Sequence, residues 1–484
     1  MWFRSATLLW RRTALPAGRP FPRCYSTPTP TSPELYDVVC VGGGPAGLSL
    51  LAALRSSAAT SGLKVALVEG QDLKKNVLRD STPSTFSNRC SSLTPASVRY
   101  LKEIGAWSFI DESRVQPYQG MEVWDGLSGS KITFDWDETN SVARRPSRHD
   151  SQTIAYMIEN INLTTGLQNF LKALGGITIL SPAKVESISY GDSTGSSNLS
   201  TWPVVKVSGG QTLAARLLVG ADGANSPVRT FAGIQSRGWR YERMGMVATI
   251  QLESEPVRKI AYQRFLSTGP IAMLPLPGKM ASLVWSTTPE RAEVLKALSE
   301  EDFSAMVNAG FRLSDPDLQY LHGLEAGQAK EVEWRRRHTP QSGAVPTTVI
   351  GVQENTIAAF PLQLRHADTY TAERIALVGD AAHTIHPLAG QGLNLGQGDI
   401  ASLVRTIKSA VESGQDIGST LALEQYTSER YAANNTVMGV CDKLHKLYSF
   451  QSAPIVGLRS LGLSAVDKLG FLKGFLMRNA AGGA

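Results

Sequence analysis

The chain has 484 residues, of which 42% are hydrophobic and 19% are charged, a composition typical of globular proteins and not of disordered ones. This length exceeds what one hydrophobic core usually supports, so two or more structural units are expected. The formal net charge is +6, but residues 1–33 contain five arginines and no acidic residue, and subtracting them leaves +1 for the rest. The basic balance therefore gives no reason to expect nucleic-acid binding.

The N-terminal 33 residues are rich in Arg, Ser and Thr, a composition typical of a mitochondrial transit peptide followed by a linker. The five arginines are Arg4, Arg11, Arg12, Arg19 and Arg23. A merely disordered basic arm is the alternative. No run approaches 18 consecutive apolar residues, so the sequence predicts no membrane-spanning helix. The predicted location is the mitochondrial matrix.

The first predicted elements after the linker form a βαβ unit. The apolar run YDVVCVGGG predicts a buried strand, PAGLSLLAALRSSA a helix of small residues, and KVALVEG a second strand. LKALGGITIL and LAARLLVGADG then predict a helix and further strands of the same layer. Together they indicate an α/β protein with a Rossmann-like domain.

The sequence texture changes between about residues 236 and 354. Segments such as MVATIQLE and ASLVWSTT alternate apolar and polar residues, as expected of an antiparallel sheet with one buried face. Residues 396–450 again predict helices. Near the C-terminus, apolar residues at helical spacing predict an amphipathic helix; they are Val466, Leu469, Leu472 and Leu476. Its basic residues are spread around the helix, which favours packing on its own domain or a partner over binding to a membrane.

A glycine-rich turn joins the first predicted strand to the first helix. Gly42, Gly44 and Gly47 form G-x-G-x-x-G, in which the glycines permit a tight turn, close approach of a pyrophosphate and close helix–strand packing. The helix N-terminus at Ala46 favours an anion. Glu69 ends the next strand, 22 residues after Gly47, where a carboxylate can hold ribose hydroxyls.

Two later strands also end in turns that pair Gly with Asp. LLVG leads into Asp222-Gly223, and IALV leads into Gly379-Asp380. Taken singly, such a turn is an ordinary strand end. Two of them combined with the N-terminal glycine motif predict one extended groove for FAD.

These three motifs, in this order, resemble the flavoprotein aromatic monooxygenases of the para-hydroxybenzoate hydroxylase type, and most closely the ubiquinone-biosynthesis hydroxylases. The resemblance runs from about residue 36 to 450 and includes FSNRCSSLTPASVRYLKEIGAW at 86–107. Tyr426 and Arg430 match the late Tyr-x-x-x-Arg of the family. Cys90 departs from the pattern, because a small aliphatic residue of similar volume is expected there.

The resemblance implies which residues bind FAD. Asp380 is expected to bind the ribityl hydroxyls, and a loop with a helix start is expected to lie against the isoalloxazine ring; its residues are Pro387, Gly390, Gln391, Gly392 and Asn394. Arg89, Asp222 and Gly379 are implied as further cofactor-binding residues. No protein side chain is predicted to be catalytic in itself, since the chemistry resides in the flavin.

The implied reaction is hydroxylation of a polyprenylated 4-hydroxybenzoate-type ring at C5, by O2 through a flavin C4a-hydroperoxide. By resemblance, electrons would come from a ferredoxin and its reductase, and Arg335–Arg337 could bind an acidic ferredoxin. Direct reduction by NAD(P)H is the alternative, and the lack of a second G-x-G-x-x-G does not exclude it. Other ubiquinone-biosynthesis proteins are implied as partners, on the matrix side of the inner membrane. A groove in the second sheet would hold the polyprenyl tail of the substrate. The residues predicted for its wall are Phe265, Met273, Leu274, Pro275 and Leu276.

The implied domain boundaries follow. Residues 34–110, 150–235 and 355–450 would form a discontinuous FAD-binding domain, residues 111–149 and 236–354 a mainly antiparallel substrate domain, and residues 451–484 a C-terminal helical segment.

Three other functions are alternatives to a flavin monooxygenase of aromatic rings. His383 and His386 have the H-x-x-H spacing of some metal sites, but no Glu lies near them and the flavin motif already explains the segment; no metal is predicted. An isoprenoid epoxidase or reductase could use the same flavin fold. A non-catalytic scaffold of a ubiquinone-synthesising complex would need no Gly392 loop.

Overall fold

The computed structural model describes residues 32–75, 77–78, 85–135, 153–193, 198–338, 345–385, 390–450, 452, 454, 456–457 and 459–460. Several predictions fall outside these residues. They are the transit peptide up to residue 31, His386, Pro387 and the C-terminal amphipathic helix beyond residue 460.

The described strands and helices are numbered here in chain order. The strands are β1 (Glu34–Val41), β2 (Val65–Val68), β3 (Cys90–Leu93), β4 (Gln116–Tyr118), β5 (Gly120–Asp125), β6 (Lys131–Asp135), β7 (Ala155–Glu159), β8 (Ile177–Leu180), β9 (Val185–Tyr190), β10 (Pro203–Val207), β11 (Thr212–Gly220), β12 (Ser236–Leu252), β13 (Ile260–Leu266), β14 (Gly269–Pro275), β15 (Met280–Thr287), β16 (Val349–Val352), β17 (Ala358–Ala367), β18 (Thr371–Ala372), β19 (Ile375–Leu377) and β20 (His383–Thr384). The helices are α1 (Pro45–Ser56), α2 (Pro95–Glu103), α3 (Asn160–Leu174), α4 (Pro227–Phe231), α5 (Pro289–Ala297), α6 (Glu300–Arg312), α7 (Asp315–His322), α8 (Gln328–His338), α9 (Gly392–Glu412) and α10 (Thr420–Ser449).

The first sheet is parallel at its centre, in the order β19-β11-β1-β2-β8. Its central strands are buried on both faces, because helices α1, α3 and α9 supply the leucines and isoleucines that cover them. β18 adds an antiparallel edge, and β9 and β10 extend from β11 as an antiparallel arm. The predicted βαβ unit is present as β1-α1-β2. Parallel order brings the carboxyl ends of β1, β2, β11 and β19 to one edge, where ligands bind in open α/β sheets.

The second sheet is mainly antiparallel, in the order β20-β17-β12-β15-β14-β13-β5-β6, with β16 paired to β12. One face packs against helices α5 to α8 around Trp285, Phe303 and Phe311. These four helices were not predicted from the sequence. β17 and β20 lie in this sheet although their residues fall in the range 355–450 assigned to the FAD domain. The chain rejoins the first sheet at β18, and the predicted boundaries otherwise stay predictions.

A small third sheet, β3-β7-β4, lies between the other two. Its apolar side chains, with Tyr118 and Met157 among them, pack against Ala261 and Leu276 of the second sheet's other face. The segment before β3 is also fixed to both neighbours. Phe86 exchanges two 2.8 Å backbone hydrogen bonds with the side chain of Gln353.

The end of the described chain is held by a buried ion pair. Arg459 donates to both carboxylate oxygens of Asp125 at 2.8 and 3.0 Å, and both side chains are at most 2% exposed. The same guanidinium donates to the carbonyls of Leu447, Tyr448 and Phe450 at the end of α10. Residue 459 therefore joins the last helix to strand β5.

Candidate functional site

The glycine-rich turn after β1 has two closely packed glycines and one open glycine. Gly42 has a φ of +106°, and a Cβ atom built on it would lie 2.3 Å from the carbonyl oxygen of Ala221. A Cβ on Gly47 would lie 1.9 Å from the carbonyl oxygen of Gly42. At Gly44 a Cβ would meet nothing within 4 Å. The turn is therefore pressed against the sheet on one side, and Gly44 borders open space on the other.

Helix α1 begins at this open space without a side-chain cap. Gly44 is its N-cap residue, and Pro45 occupies the first position, where no N–H is needed. The N–H groups of Ala46 and Gly47 follow in the first turn, where the helix itself supplies no acceptors. Uncapped N–H groups and the helix dipole together suit a phosphate group.

Glu69 lies beside the turn. Its carboxylate accepts the N–H of Gly43 at 2.5 Å and the N–H of Gln71 at 2.6 Å. The side chain is half-buried. Glu69 is thus fixed at the end of β2, next to the glycine-rich turn, as its spacing predicts.

Asp222 lies at the end of the adjacent strand β11. One carboxylate oxygen accepts the N–H of Val228 at 3.3 Å, while the other is buried and finds no hydrogen-bond partner among the described residues. Burial raises the pKa of Asp222, and hydrogen bonds from Ser226 and Val228 offset part of this rise. An unsatisfied buried acceptor is costly, so this corner of the site suits a ligand that donates a hydrogen bond.

The second Gly/Asp turn, after β19, packs against the start of helix α1. Gly379 has a φ of +59°, and a Cβ on it would lie 3.4 Å from the Cβ of Ala46. Asp380 opens to solvent, yet the surrounding protein raises the pKa of its carboxyl by burial, an effect that His383 partly offsets. The carboxylate of Asp380 is therefore presented at the same edge of the sheet as the glycine-rich turn.

Arg229 connects the two Gly/Asp turns and was not among the residues predicted from the sequence. Its guanidinium is buried and donates to the carbonyl of Ala224 at 2.7 Å and to the carbonyl of Ala381 at 2.8 Å. One side chain thus ties the turn that follows β11 to the turn that follows β19. The available signal was the Arg in SPVR, directly after the Asp222 turn.

The start of α9 is held against β3 by Asn394. The amide of Asn394 accepts the N–H of Thr94 and the hydroxyl of Ser97, each at 2.8 Å, and donates to the carbonyls of Ser92 at 2.7 Å and Gly390 at 3.2 Å. Each polar atom of this side chain is used inside the protein. Asn394 therefore shapes the loop, and any contact of this residue with a cofactor has to come from its backbone.

The other predicted loop residues border this start of α9. Gly390 has a φ of +58°, and a Cβ on Gly392 would meet, among the described residues, only Ile385, at 3.6 Å. Gln391 is the N-cap residue and makes no side-chain capping bond. Among the described residues, Gly392 thus has no neighbour closer than ordinary van der Waals distance.

Arg89 lies on the segment before β3, with an exposed side chain. Its carbonyl accepts the N–H of Asn160 at 2.9 Å. The preceding Ser87 donates its N–H to Glu159, whose carboxylate forms a buried bidentate pair with Arg114 at 2.7 and 3.0 Å. The backbone at Arg89 is therefore held in place, while its exposed guanidinium makes no hydrogen bond or ion pair with the described residues.

The predicted wall of the substrate groove is wrong in part. Met273 is 3% exposed and packs in the core with helices α5 to α8, because alternate residues of β14 point to opposite faces. Phe265 stacks on Tyr448 with ring centroids 3.7 Å apart. Leu274 and Leu276 lie on the other face, in the cluster with Tyr118, and Pro275 is buried.

His383 is not arranged as a metal ligand. Its Nε2 lies 2.5 Å from the carboxylate of Asp399, and both side chains are fully buried. Within the described ranges, no group of three or more His, Cys, Asp or Glu side chains could hold a metal ion. His386 lies outside the described residues.

The fold is shared with solved structures of monooxygenases. The structure is similar to p-nitrophenol 4-monooxygenase PnpA from Pseudomonas putida, with a TM-score of 0.66, 16% identity and coverage of 93% of this chain and 99% of that one. It is also similar to pqsL, a probable FAD-dependent monooxygenase from Pseudomonas aeruginosa, with a TM-score of 0.63, 20% identity and coverage of 89% and 100%. At these identities the likeness concerns the fold.

Sequence comparison identifies the family. The FAD binding domain model matches residues 35–439. The chain is 40% identical to the mitochondrial ubiquinone biosynthesis monooxygenase COQ6 of Saccharomyces cerevisiae, over 99% of each chain, and 35% identical to that of Homo sapiens, over 92% of each. The chain belongs to this family of mitochondrial FAD-dependent monooxygenases. The predicted fold class, cofactor and enzyme class are confirmed.

Proposed function

We propose that the turns at the carboxyl edge of the first sheet hold FAD in one extended conformation. The pyrophosphate would lie at Gly44 and the first N–H groups of α1, and Glu69 would bind a ribose. Asp380 would bind the ribityl chain, with Gly390 to Gly392 beside the ring. The observation that carries this assignment is the contrast between Gly44, which borders open space, and its closely packed neighbours Gly42 and Gly47.

The proposed reaction is hydroxylation of a polyprenylated 4-hydroxybenzoate-type ring at C5 during ubiquinone synthesis. The chemistry that FAD supplies when bound is activation of O2 and delivery of one oxygen atom to an electron-rich ring. The para-hydroxyl makes the ring nucleophilic at its ortho carbons, and with the tail on one of them C5 is the free position. The chain's task is to orient this ring and exclude water. Leu274 and Leu276 pack with Tyr118 in an apolar cluster between the second and third sheets, and the tail is proposed to lie beside this cluster.

Electrons are proposed to come from a ferredoxin and its reductase, which rests on the family resemblance. The basic run is a weaker docking surface than its sequence indicates. Arg335 is ion-paired with Asp317 and Glu331, and Arg336 and Arg337 are both ion-paired with Glu333. Only Arg337 among the three is mostly exposed, at 72%. Paired surface charges steer an acidic partner less than free ones.

The enzyme is proposed to lie on the matrix side of the inner membrane as a peripheral protein. Among the described helices, none is both long and apolar enough to cross a bilayer. One side of α10, together with the residue that follows the helix, exposes a row of apolar side chains: Val440, Leu444, Leu447 and Phe450, each between 37% and 53% exposed. A row of this kind can enter the headgroup region of a bilayer, where a polyprenylated substrate resides.

Flotation with inner-membrane-like liposomes tests this location. Leu444→Glu combined with Leu447→Glu should reduce co-flotation. Leu421→Glu, at a position 75% exposed near the start of the same helix, is the matched control and should not. Equal flotation of all three proteins would contradict the proposed surface.

Import into the matrix is assigned to residues 1–33. Fused to a fluorescent reporter, they should direct it to mitochondria, and replacement of the five arginines by glutamine should abolish this. A cytosolic wild-type fusion would contradict the assignment.

The reaction is tested in cells that lack the gene. Their lipid extract should contain a ring intermediate without the C5 oxygen, and the wild-type chain should restore ubiquinone. Gly392→Val should not restore it, because the branched side chain clashes with none of the described residues but would meet the proposed flavin ring. Gly439→Val is the control, since a Cβ there meets no atom of the described residues within 4 Å and α10 carries it away from the loop.

The result also separates the alternatives. Normal ubiquinone with Gly392→Val would show that this loop does not contact the flavin. An accumulated intermediate whose isoprenoid chain, and not its ring, lacks oxygen would favour an isoprenoid epoxidase.

A further inference from the structure

The turn that carries Asp380 is supported from below by a cluster of buried polar side chains, the Asp399 cluster: Asp399, His383, Arg430 and Asn434. Asp399 is 0% exposed. One of its oxygens accepts the N–H of Gly379 at 3.1 Å and contacts His383 Nε2 at 2.5 Å. The bonds of this oxygen therefore lie on both sides of Asp380 in the sequence.

The other oxygen of Asp399 is held from helix α10. It accepts Arg430 Nε at 3.0 Å and the amide of Asn434 at 2.9 Å. Arg430 also donates to Asn434 at 2.7 Å. A Cβ on Gly398 would lie 2.6 Å from the Arg430 guanidinium, so a glycine in α9 is needed for this guanidinium to reach the carboxylate.

The charges of the cluster keep Asp399 ionised. Burial alone would raise the pKa of Asp399, but His383 and Arg430 lower it below its usual value. An ionised carboxylate is the stronger acceptor for the Gly379 N–H, because charge-assisted hydrogen bonds are about twice as strong as neutral ones.

The cluster also reaches the second sheet. The amide of Asn434 donates to the hydroxyl of Tyr370 at 3.1 Å, and this hydroxyl lies 2.8 Å from His366 Nε2 on β17. A continuous set of hydrogen bonds thus runs from the Gly379 turn to a strand of the sheet that is proposed to hold the substrate.

We propose that Asp399 is a positioning residue for the flavin. Through Gly379 and His383 it fixes the turn in which Asp380 faces the ribityl chain, and Arg430 and Asn434 fix Asp399 in turn. This proposal rests on the assignment of Asp380 to the flavin. Asp399 itself touches neither flavin nor substrate; it acts through the turn.

A double-mutant cycle on the FAD-loaded mature protein tests the proposal. FAD dissociation constants are measured from flavin fluorescence on dilution, for Asp399→Asn, Asp380→Ala and the double variant. Asp399→Asn should weaken FAD binding by about tenfold, the equivalent of one charge-assisted hydrogen bond. In the Asp380→Ala background the same substitution should have little further effect, because the residue through which it acts is gone.

Asp416→Asn is the matched control for a purely structural role. Asp416 is also bonded by two arginines, Arg216 at 2.7 Å and Arg374 at 2.6 Å, and accepts one backbone N–H, from Gly418 at 3.2 Å. It lies toward the amino ends of the same strands. Its substitution should lower the melting temperature and leave FAD affinity unchanged.

Three outcomes decide between the assignments. Equal losses of affinity with and without Asp380, or no loss in Asp399→Asn while Asp380→Ala loses FAD, would overturn the positioning role alone. Unchanged affinity in Asp380→Ala would overturn the proposed flavin assignment and this proposal with it.

If Asp399→Asn does not fold, His383→Ala takes its place in the cycle, since it leaves the Asp399–Arg430 pair intact. His383→Gln should then restore FAD affinity, because a glutamine amide can donate where His383 Nε2 does. Wild-type affinity in His383→Ala would overturn the proposal.

Discussion

The two ends of the parallel sheet differ in how their polar groups are paired. At the amino ends, charges are paired on the surface, as Lys64 is with Glu34 and Arg216 with Asp416. At the carboxyl ends, α1 has no side-chain cap and one oxygen of Asp222 has no partner among the described residues. The polar groups at one end of these five strands thus have partners within the protein, and those at the other end are proposed to bind a ligand. Residues that stabilise the sheet and residues that serve its function therefore lie at opposite ends of one layer.

The largest effect on stability is expected at Gly47, where packing at the carboxyl end of the sheet leaves no space for a side chain. Gly47→Ala places a Cβ 1.9 Å from the carbonyl oxygen of Gly42 and should lower the free energy of unfolding by about 3 kcal/mol or more, as overpacking and backbone strain do. Chemical denaturation measures this. Gly62→Ala, where a Cβ meets nothing within 4 Å, is the control and should change little.

A smaller and more selective effect is expected at Gly44. A Cβ there meets no atom of the described residues within 4 Å, so Gly44→Val should alter the free energy of unfolding of the flavin-free protein by only about 1 kcal/mol, the usual N-cap effect. FAD affinity should fall about 100-fold, or about 2.7 kcal/mol, because the side chain would occupy the proposed phosphate position. Gly62→Val should retain full affinity. Retention of FAD by Gly44→Val would remove the phosphate from this turn.

Glu69 should show an intermediate effect on the ligand. Glu69→Ala removes a carboxylate that is already fixed by two backbone N–H groups, and should weaken FAD binding by about 1–3 kcal/mol, the cost of lost hydrogen bonds to a charged group. Fluorescence titration measures the affinity. Unchanged flavin occupancy in both Glu69→Ala and Asp380→Ala would contradict the site assignment.

The smallest effects should have opposite signs at the two ends. Burial raises the pKa of Asp222, so its ionised form costs stability, a cost that appears as pH rises from the unfolded value of about 4 through the raised folded pKa. Burial alone would raise the pKa of Asp416 as well, but Arg374 and Arg216 lower it, so its contribution is complete above about pH 4 and is lost as pH falls through the folded pKa.

Melting temperatures of the flavin-free protein test both signs. At neutral pH, Asp222→Asn should be more stable than wild type and Asp416→Asn less stable, the latter by at most about 1 kcal/mol because the pair is partly exposed. Both differences should shrink below about pH 4. A stabilising Asp416→Asn, or a destabilising Asp222→Asn, would contradict the proposed division between the ends of the sheet.

The sequence predicted those features that depend on local backbone constraints. A turn with the φ of Gly42, next to a helix packed as closely as Gly47 requires, needs glycine at fixed spacing, so the motif itself reveals the turn. Glu69 and the Gly379–Asp380 turn follow because each directly ends a predicted strand. Such features are set within a few residues of sequence.

Features that depend on distant side chains were missed or misplaced. Nothing in the sequence near Asp399 indicates that Arg430, 31 residues away, provides its counter-charge. Asn394 matches the family pattern, yet its amide is used by Ser92 and Thr94, about 300 residues earlier. Met273 was misplaced because the alternation of a strand gives two faces without stating which one meets the helices.

The ion pair between Arg459 and Asp125 has a consequence for shortened forms of the chain. A chain ending after Phe450 would leave Asp125 buried and charged without its partner, a loss that typically costs about 3–5 kcal/mol out of a total stability of about 5–15 kcal/mol. The damage would arise in β5, more than 300 residues before the stop codon. Late nonsense alleles of this gene should therefore lower the amount of protein in the cell, as quantified by immunoblot, even though every flavin-site residue is still encoded.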